Sequence, residues 1–344
     1  MGFSEMMQQI RSESLQSLLV AVRSQESTPL NIQSFVESGA SPTHRETLIN
    51  NLRLRQGDVL EIQGPPASGK THLLYFLMVM CIIPNTYSSI SLGGWDKAAV
   101  FFDADASFDL ARFTCLLVSH LRAALEAVQD FEISIQLIVQ QSLRNLHIFR
   151  PNSSVQLAAA LAQLPSYHKS ALPDTEIGMV AVDPISAFYW SDRFTWEQLR
   201  KPGRKNQESN NPFRHVAMAL EHLHSTHKPM IVWTNWVLGP PKVDENHPGS
   251  MFYRQHLSPS PAVFPAAENE SGASQTTRLN LTIHIMLSVP AASQIYSNSS
   301  FADICEQQPS IQSDRVFAAV VRFADTTQLT QFTIRVGTDS LVAE

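Results

Sequence analysis

The sequence predicts an α/β protein: a mostly parallel, twisted sheet flanked by helices, with an antiparallel extension towards the C-terminus. Three observations predict it. Short apolar segments recur between stretches with helical spacing, the pattern of strand–helix–strand units. Two of those segments, 98–102 and 177–182, close on an aspartate, Asp103 and Asp183. The first segment of all runs into Gly64-Pro-Pro-Ala-Ser-Gly-Lys-Thr71, which satisfies the pattern GxxxxGK[ST] in full.

Residues 1–45 hold one amphipathic helix, 12–22, with Leu15, Leu18, Leu19 and Val22 on one face, followed by a polar linker. The core is expected over 46–344. Residues 57–62 read as a buried strand and 71–80 as a helix that ends before Pro84. A second strand is expected at 98–102. A helix follows over 108–128, where Phe113, Leu117, Leu121 and Leu125 recur at i, i+4. Strands at 146–149, 177–182 and 229–234 alternate with helices at 153–164 and 216–224. Beyond Trp236 the texture changes. Residues 201–211, 239–275 and 292–313 are rich in Pro, Ser, Gly and Asn and read as disordered insertions. The β-branched and aromatic segments 279–288, 316–323 and 331–336 supply the antiparallel extension.

Composition narrows the class. Hydrophobic residues make up 44%, enough for a sizeable core, and the net charge of −6 excludes a uniformly basic coat for nucleic acid. Cys81, Cys115 and Cys305 stand far apart, with no CxxC, which fits a reducing compartment and argues against a zinc site. The N-terminus lacks the basic and apolar regions of a signal peptide, and no apolar run approaches a membrane span. A soluble intracellular protein without a membrane partner is expected.

Gly64, Pro65, Pro66, Ala67, Ser68, Gly69, Lys70 and Thr71 follow a strand and open a helix. There, backbone N–H groups and the helix dipole both favour an anion. Backbone amides around Ala67–Lys70 would cradle phosphates, Lys70 would neutralise β- and γ-phosphate charge, and the Thr71 hydroxyl would coordinate Mg²⁺. ATP and Mg²⁺ are the expected ligands. Such a loop needs a carboxylate at the end of a neighbouring strand; Asp183 and Asp103 both have the form. No Gly-x-Ser-x-Gly elbow is present, and the histidines near 215–227 have no acidic residue spaced to complete a metal site.

Residues 57–71, Phe101-Phe-Asp-Ala-Asp-Ala-Ser-Phe108 and Val182-Asp-Pro-Ile-Ser-Ala-Phe-Tyr-Trp-Ser-Asp-Arg193 resemble the eukaryotic RecA-type recombinase paralogues, over about residues 40–240. The resemblance implies a RecA-like core, a role in homologous recombination repair, a nuclear location, and partners among other paralogues. The RecA-like strand order favours Asp183 over Asp103 as the Mg²⁺ carboxylate. Two departures stand out. Active recombinases carry a glutamate at the position of Asp105, where it activates the attacking water, and aspartate is one methylene shorter. They carry a glutamine where this chain has Trp236, whose indole only donates. ATP binding with weak or absent hydrolysis is therefore expected. An active DNA-dependent ATPase and an unrelated P-loop kinase are the alternatives.

The loops after the fourth and fifth main strands hold Arg193, Arg200, Lys201, Arg204, Lys205, Arg214, Lys242 and Arg254, interleaved with Tyr189, Trp190, Phe194, Trp196, Phe252 and Tyr253. Cations with aromatics suit single-stranded DNA, reached through the complex. The cluster at 200–205 has the form of a nuclear import signal. Phe264-Pro-Ala-Ala267 has the Phe-x-x-Ala form by which recombinases join neighbours, but with 18 Phe a chance match is expected.

Overall fold

The computed structural model describes residues 52, 54–125, 131–199, 211–238, 242–243, 251–252, 256–257, 279–288, 315–326, 329–337 and 341–343. The expected N-terminal helix at 12–22, most of the three insertions, the basic run 200–205 and residues 264–267 lie outside them.

Strand β1 (Val59–Gly64) leads through the glycine loop into α1 (Lys70–Ile82). A small hairpin, β2 (Thr86–Tyr87) and β3 (Ile90–Ser91), precedes β4 (Ala98–Asp103). Helices α2 (Leu110–Leu125) and α3 (Phe131–Leu143) connect to β5 (Leu146–Phe149), and α4 (Ser154–Ala171) to β6 (Ile177–Asp183). Next come α5 (Tyr189–Leu199), α6 (Phe213–His227) and β7 (Met230–Trp236). A two-stranded ribbon, β8 (Lys242–Val243) with β9 (Met251–Phe252), precedes the last four strands: β10 (Ile283–Ser288), β11 (Arg315–Phe323), β12 (Leu329–Val336) and β13 (Leu341–Ala343).

The main sheet has nine strands in the order β13-β12-β11-β10-β1-β7-β6-β4-β5. From β10 to β5 every pairing is parallel. From β10 to β13 every pairing is antiparallel. The expected extension is thus present, but its first strand, β10, also runs parallel to β1. Apolar periodicity carries no strand direction, so this was open to structure alone.

Alternation of side chains across the pleat sets the two cores. Leu60, Ile62, Phe101, Met179 and Ile285 face α1, α2 and α3 on one side. Val59, Val100, Phe102, Val180 and Trp233 face α4 and α6 on the other. Helix α1 is buried on all sides, wedged between the sheet, α2 and the C-terminal strands. That is why it is apolar all round instead of striped.

Four differences from expectation have physical causes. Helix α3 carries buried Ile135 and Ile138 but exposed Ile133 and Leu137, so its apolar residues form no single stripe to read. Helix α4 runs on through Pro165 to Ala171, because beyond the proline Tyr167 packs against the second core and the C-cap Leu172 is buried in it; tertiary packing overrides the proline. Residues 189–199, expected as loop, are helix α5, braced by the i, i+4 pair Arg193–Glu197. Three-residue β13 is too short to show a pattern. Among the described residues no helix is long and apolar enough to cross a membrane.

Candidate functional site

At the C-terminal end of β1 the chain leaves the sheet at Gly64 and re-enters regular structure at Lys70. Two left-handed residues make the turn, Ala67 at φ 58° and Gly69 at φ 86°. Gly64 has no room for a side chain: a Cβ there would stand 2.5 Å from Ser68 Oγ and 2.8 Å from the Leu287 carbonyl oxygen. Lys70 curls back over the loop, donating from Nζ to the carbonyl oxygens of Gly64 at 2.9 Å and Pro65 at 2.7 Å. Burial brings its ammonium down to about 8, partly offset by the charge of Asp183.

Asp183, the last residue of β6, is buried beside this turn. Thr234 of β7 donates its hydroxyl to Asp183 Oδ1, and the Thr71 hydroxyl bonds to the same carboxyl. Oδ2 is buried with no hydrogen-bond partner. Burial pushes the carboxyl above its ordinary range, with the Thr234 and Thr71 hydroxyls, and then Lys70, pulling the other way and Asp105 adding to the rise. A buried carboxylate oxygen left unpaired costs free energy unless a cation or donor meets it. The chemistry of a magnesium ion, which takes oxygen ligands, fits Asp183 Oδ2, and the loop amides with Lys70 fit a phosphate chain.

Asp103 is the register partner of Asp183 on the neighbouring strand. Its oxygens are already taken. Oδ1 accepts from the backbone N–H of Ser107 at 2.9 Å and of Phe108 at 3.2 Å, and Oδ2 from Arg150 Nε at 3.0 Å. Asp105 is exposed, and its Oδ1 accepts from the Ser107 N–H at 3.2 Å. Trp236, at the end of β7, is half-buried and donates its backbone N–H to Ser186 Oγ at 3.2 Å.

Sequence reasoning missed Thr234 and Arg150. Thr234 acquires its role only because β7 lies beside β6; Arg150 because it follows β5, beside β4. It also missed a polar row on the opposite face, where Asn235 Nδ2 donates to Glu61 Oε1 at 2.6 Å and His284 Nε2 lies 3.2 Å from Gln63 Oε1. Among the described residues no group of His, Cys, Asp or Glu forms a metal cluster. His224, considered above with the histidine group, instead bonds through Nε2 to the Gly57 carbonyl at 2.7 Å.

No family model matches the chain. A DNA repair protein XRCC2 homolog of Arabidopsis thaliana is 25% identical over 221 residues, 58% of this chain and 59% of that protein. The DNA repair protein XRCC2 of Mus musculus is 31% identical over 137 residues, 40% of this chain and 43% of that one. The match thus spans less than two thirds of either relative. The chain resembles the XRCC2-type RecA paralogues. Its fold is RecA-like, with the glycine loop and Asp183 at the C-terminal ends of parallel strands, where α/β sheets of this kind hold ligands. In this RecA-like frame α5 follows β6 and carries the exposed aromatics Trp190 and Phe194. Arg193 lies 5.8 Å over the Trp190 ring and is engaged by Glu197 at 2.8 Å and Tyr189 at 3.2 Å. Of the other cations expected there, only Arg214 has a described side chain, in the first turn of α6.

Proposed function

We propose that the chain binds ATP with Mg²⁺ and serves homologous recombination repair of DNA in the nucleus, as an adaptor in a complex of RecA-type paralogues. One observation carries the nucleotide reading: a left-handed turn at Ala67–Gly69 opens α1 beside Lys70 and Thr71, and faces a buried aspartate with an unpaired oxygen. Gly64, Pro65, Pro66, Ala67, Ser68 and Gly69 form the cradle, Lys70 supplies positive charge, and Thr71 with Asp183 serves Mg²⁺. Bound there, the ion would neutralise phosphate charge. The repair role rests on the named relatives and on the strings quoted above.

Weak or absent hydrolysis is part of the proposal. Asp105 is exposed and turned onto the Ser107 N–H, and its short side chain is a poor base for a water held against the phosphate. DNA, single-stranded or branched, is met through the complex, with Trp190, Phe194 and Arg193 as this chain's share.

Equilibrium titration with a fluorescent ATP analogue and Mg²⁺ tests the reading. Saturable binding is expected, weakened about 30- to 100-fold by Lys70→Ala, the loss of charge-assisted phosphate contacts. No binding by the wild-type chain would remove the nucleotide proposal. Turnover on the order of 1 s⁻¹ or faster with single-stranded DNA, abolished by Lys70→Ala, would replace the adaptor with an active ATPase. Phosphorylation of a small acceptor would point to a kinase.

A further inference from the structure

The phosphate loop has a second wall that the motif does not describe. Phe317 of β11 places its Cδ2 and Cε2 atoms 3.4 Å from the point where a Cβ on Gly69 would stand, and Val336 of β12 places Cγ2 at 3.5 Å. The Leu287 carbonyl of β10 closes on Gly64 in the same way, at 2.8 Å. Each of the strands β10, β11 and β12 therefore touches the loop. Phe317 is buried, and Leu341 of β13 packs in the same core as α1.

We infer that Phe317 and Val336 are positioning residues of the nucleotide site, which lock Gly69 in its left-handed conformation and couple ATP binding to the docking of the C-terminal strands. The inference rests on the nucleotide reading above. Glycine visits many backbone conformations in a free loop, and fixing one is an entropic cost. Two apolar side chains against its open face remove the alternatives before ligand arrives, so less of the binding free energy is spent on ordering. The coupling is reciprocal: if docked strands favour the binding loop, bound nucleotide favours docked strands by the same factor.

Two measurements on the full chain test this. In hydrogen exchange, Mg²⁺–ATP slows exchange across 315–323 and 329–336 in the wild type and leaves Lys70→Ala unchanged. In ATP titration, Phe317→Ala weakens affinity about tenfold and Phe317→Leu about threefold, the scale of lost pre-organisation. Phe323→Ala serves as control. It lies at the far end of β11, opposite Ile283, in the apolar core that holds α1; it lowers thermal stability and weakens ATP affinity less than Phe317→Ala does. A folded Phe317→Ala with wild-type affinity, or exchange in β11 and β12 that ignores ATP, overturns the inference and leaves ATP binding standing. Failure of the wild type to bind ATP overturns both. Should Phe317→Ala not fold, Phe317→Leu and the exchange data on the wild type decide.

Discussion

Two strands, β4 and β6, end side by side on aspartates in register, and the two ends do opposite things. At Asp103 both oxygens serve the chain itself: two backbone N–H groups and Arg150 consume the carboxylate, and the turn at 104–109 is clasped in place. At Asp183 the protein supplies hydroxyls from Thr234 and Thr71, and leaves Oδ2 buried and unpaired. The first is a finished structural joint. The second keeps bonding capacity that folding does not use, and such capacity at a strand end beside a lysine is what an incoming cation with its phosphate requires.

From this contrast, the largest effect on folding belongs to Asp103. Asp103→Ala takes the acceptor from the Phe108 N–H and from Arg150 and leaves the Ser107 N–H only Asp105 Oδ1 at 3.2 Å, and should lower the unfolding free energy by about 2 kcal/mol, read from the urea midpoint at unchanged slope. Asp183→Asn should behave in reverse. It should reduce the Mg²⁺-dependent gain in ATP affinity about 10- to 100-fold, as loss of a metal-orienting group does, without costing stability at pH 7. Its pH dependence has a definite sign. With its carboxyl raised by burial, Asp183 contributes stability that is fully present below the ordinary value of 3.8 and lost as pH rises through the raised folded value. The Asn variant lacks that loss, so it should melt higher than wild type at pH 7, with the gap closing towards pH 4. Parallel melting curves across that range would contradict the assignment.

The contrast also marks what a sequence can disclose. The glycine loop between β1 and α1 was legible because eight consecutive residues carry its pattern, and the alternation of strands and helices because it is a local periodicity. The two aspartates looked alike because their partners are remote: Arg150 is 47 residues from Asp103, and Thr234 is 51 from Asp183. Likeness to relatives chose Asp183; the hydrogen bonds supply a reason for the choice. Phe317 and Val336 had no signal at all, since apolar residues in late strands read as core wherever they point. Helix α3 was lost for the opposite cause, apolar residues on two faces at once.

The cations facing the two ends sharpen the comparison further. Lys70 is buried, and its ammonium sits at about 8 against an ordinary 10.5, because burial outweighs the pull of Asp183. Phosphate favours the charged form, so binding should take up a proton near and above pH 8. ATP affinity should stay level below that point and fall about tenfold per pH unit above it, with calorimetry in two buffers reporting the proton. Affinity level to pH 10 with no proton taken up would contradict a lowered Lys70 ammonium at the phosphate contact.

Arg150 gives the smallest effect and the closest test of the clasp. Its side chain is 62% exposed while that of Asp103 is 1% exposed, so two outcomes compete for Arg150→Ala. Breaking a buried ion pair strands a charge and costs several kcal/mol; breaking an exposed one costs little. Here the removed partner is the exposed one. Deleting it opens Oδ2 to water, while Oδ1 keeps its bonds to Ser107 and Phe108. The loss should therefore be about 0.5 kcal/mol, screened further by salt. A loss approaching that of Asp103→Ala would show that Arg150, not the backbone N–H pair, closes the joint.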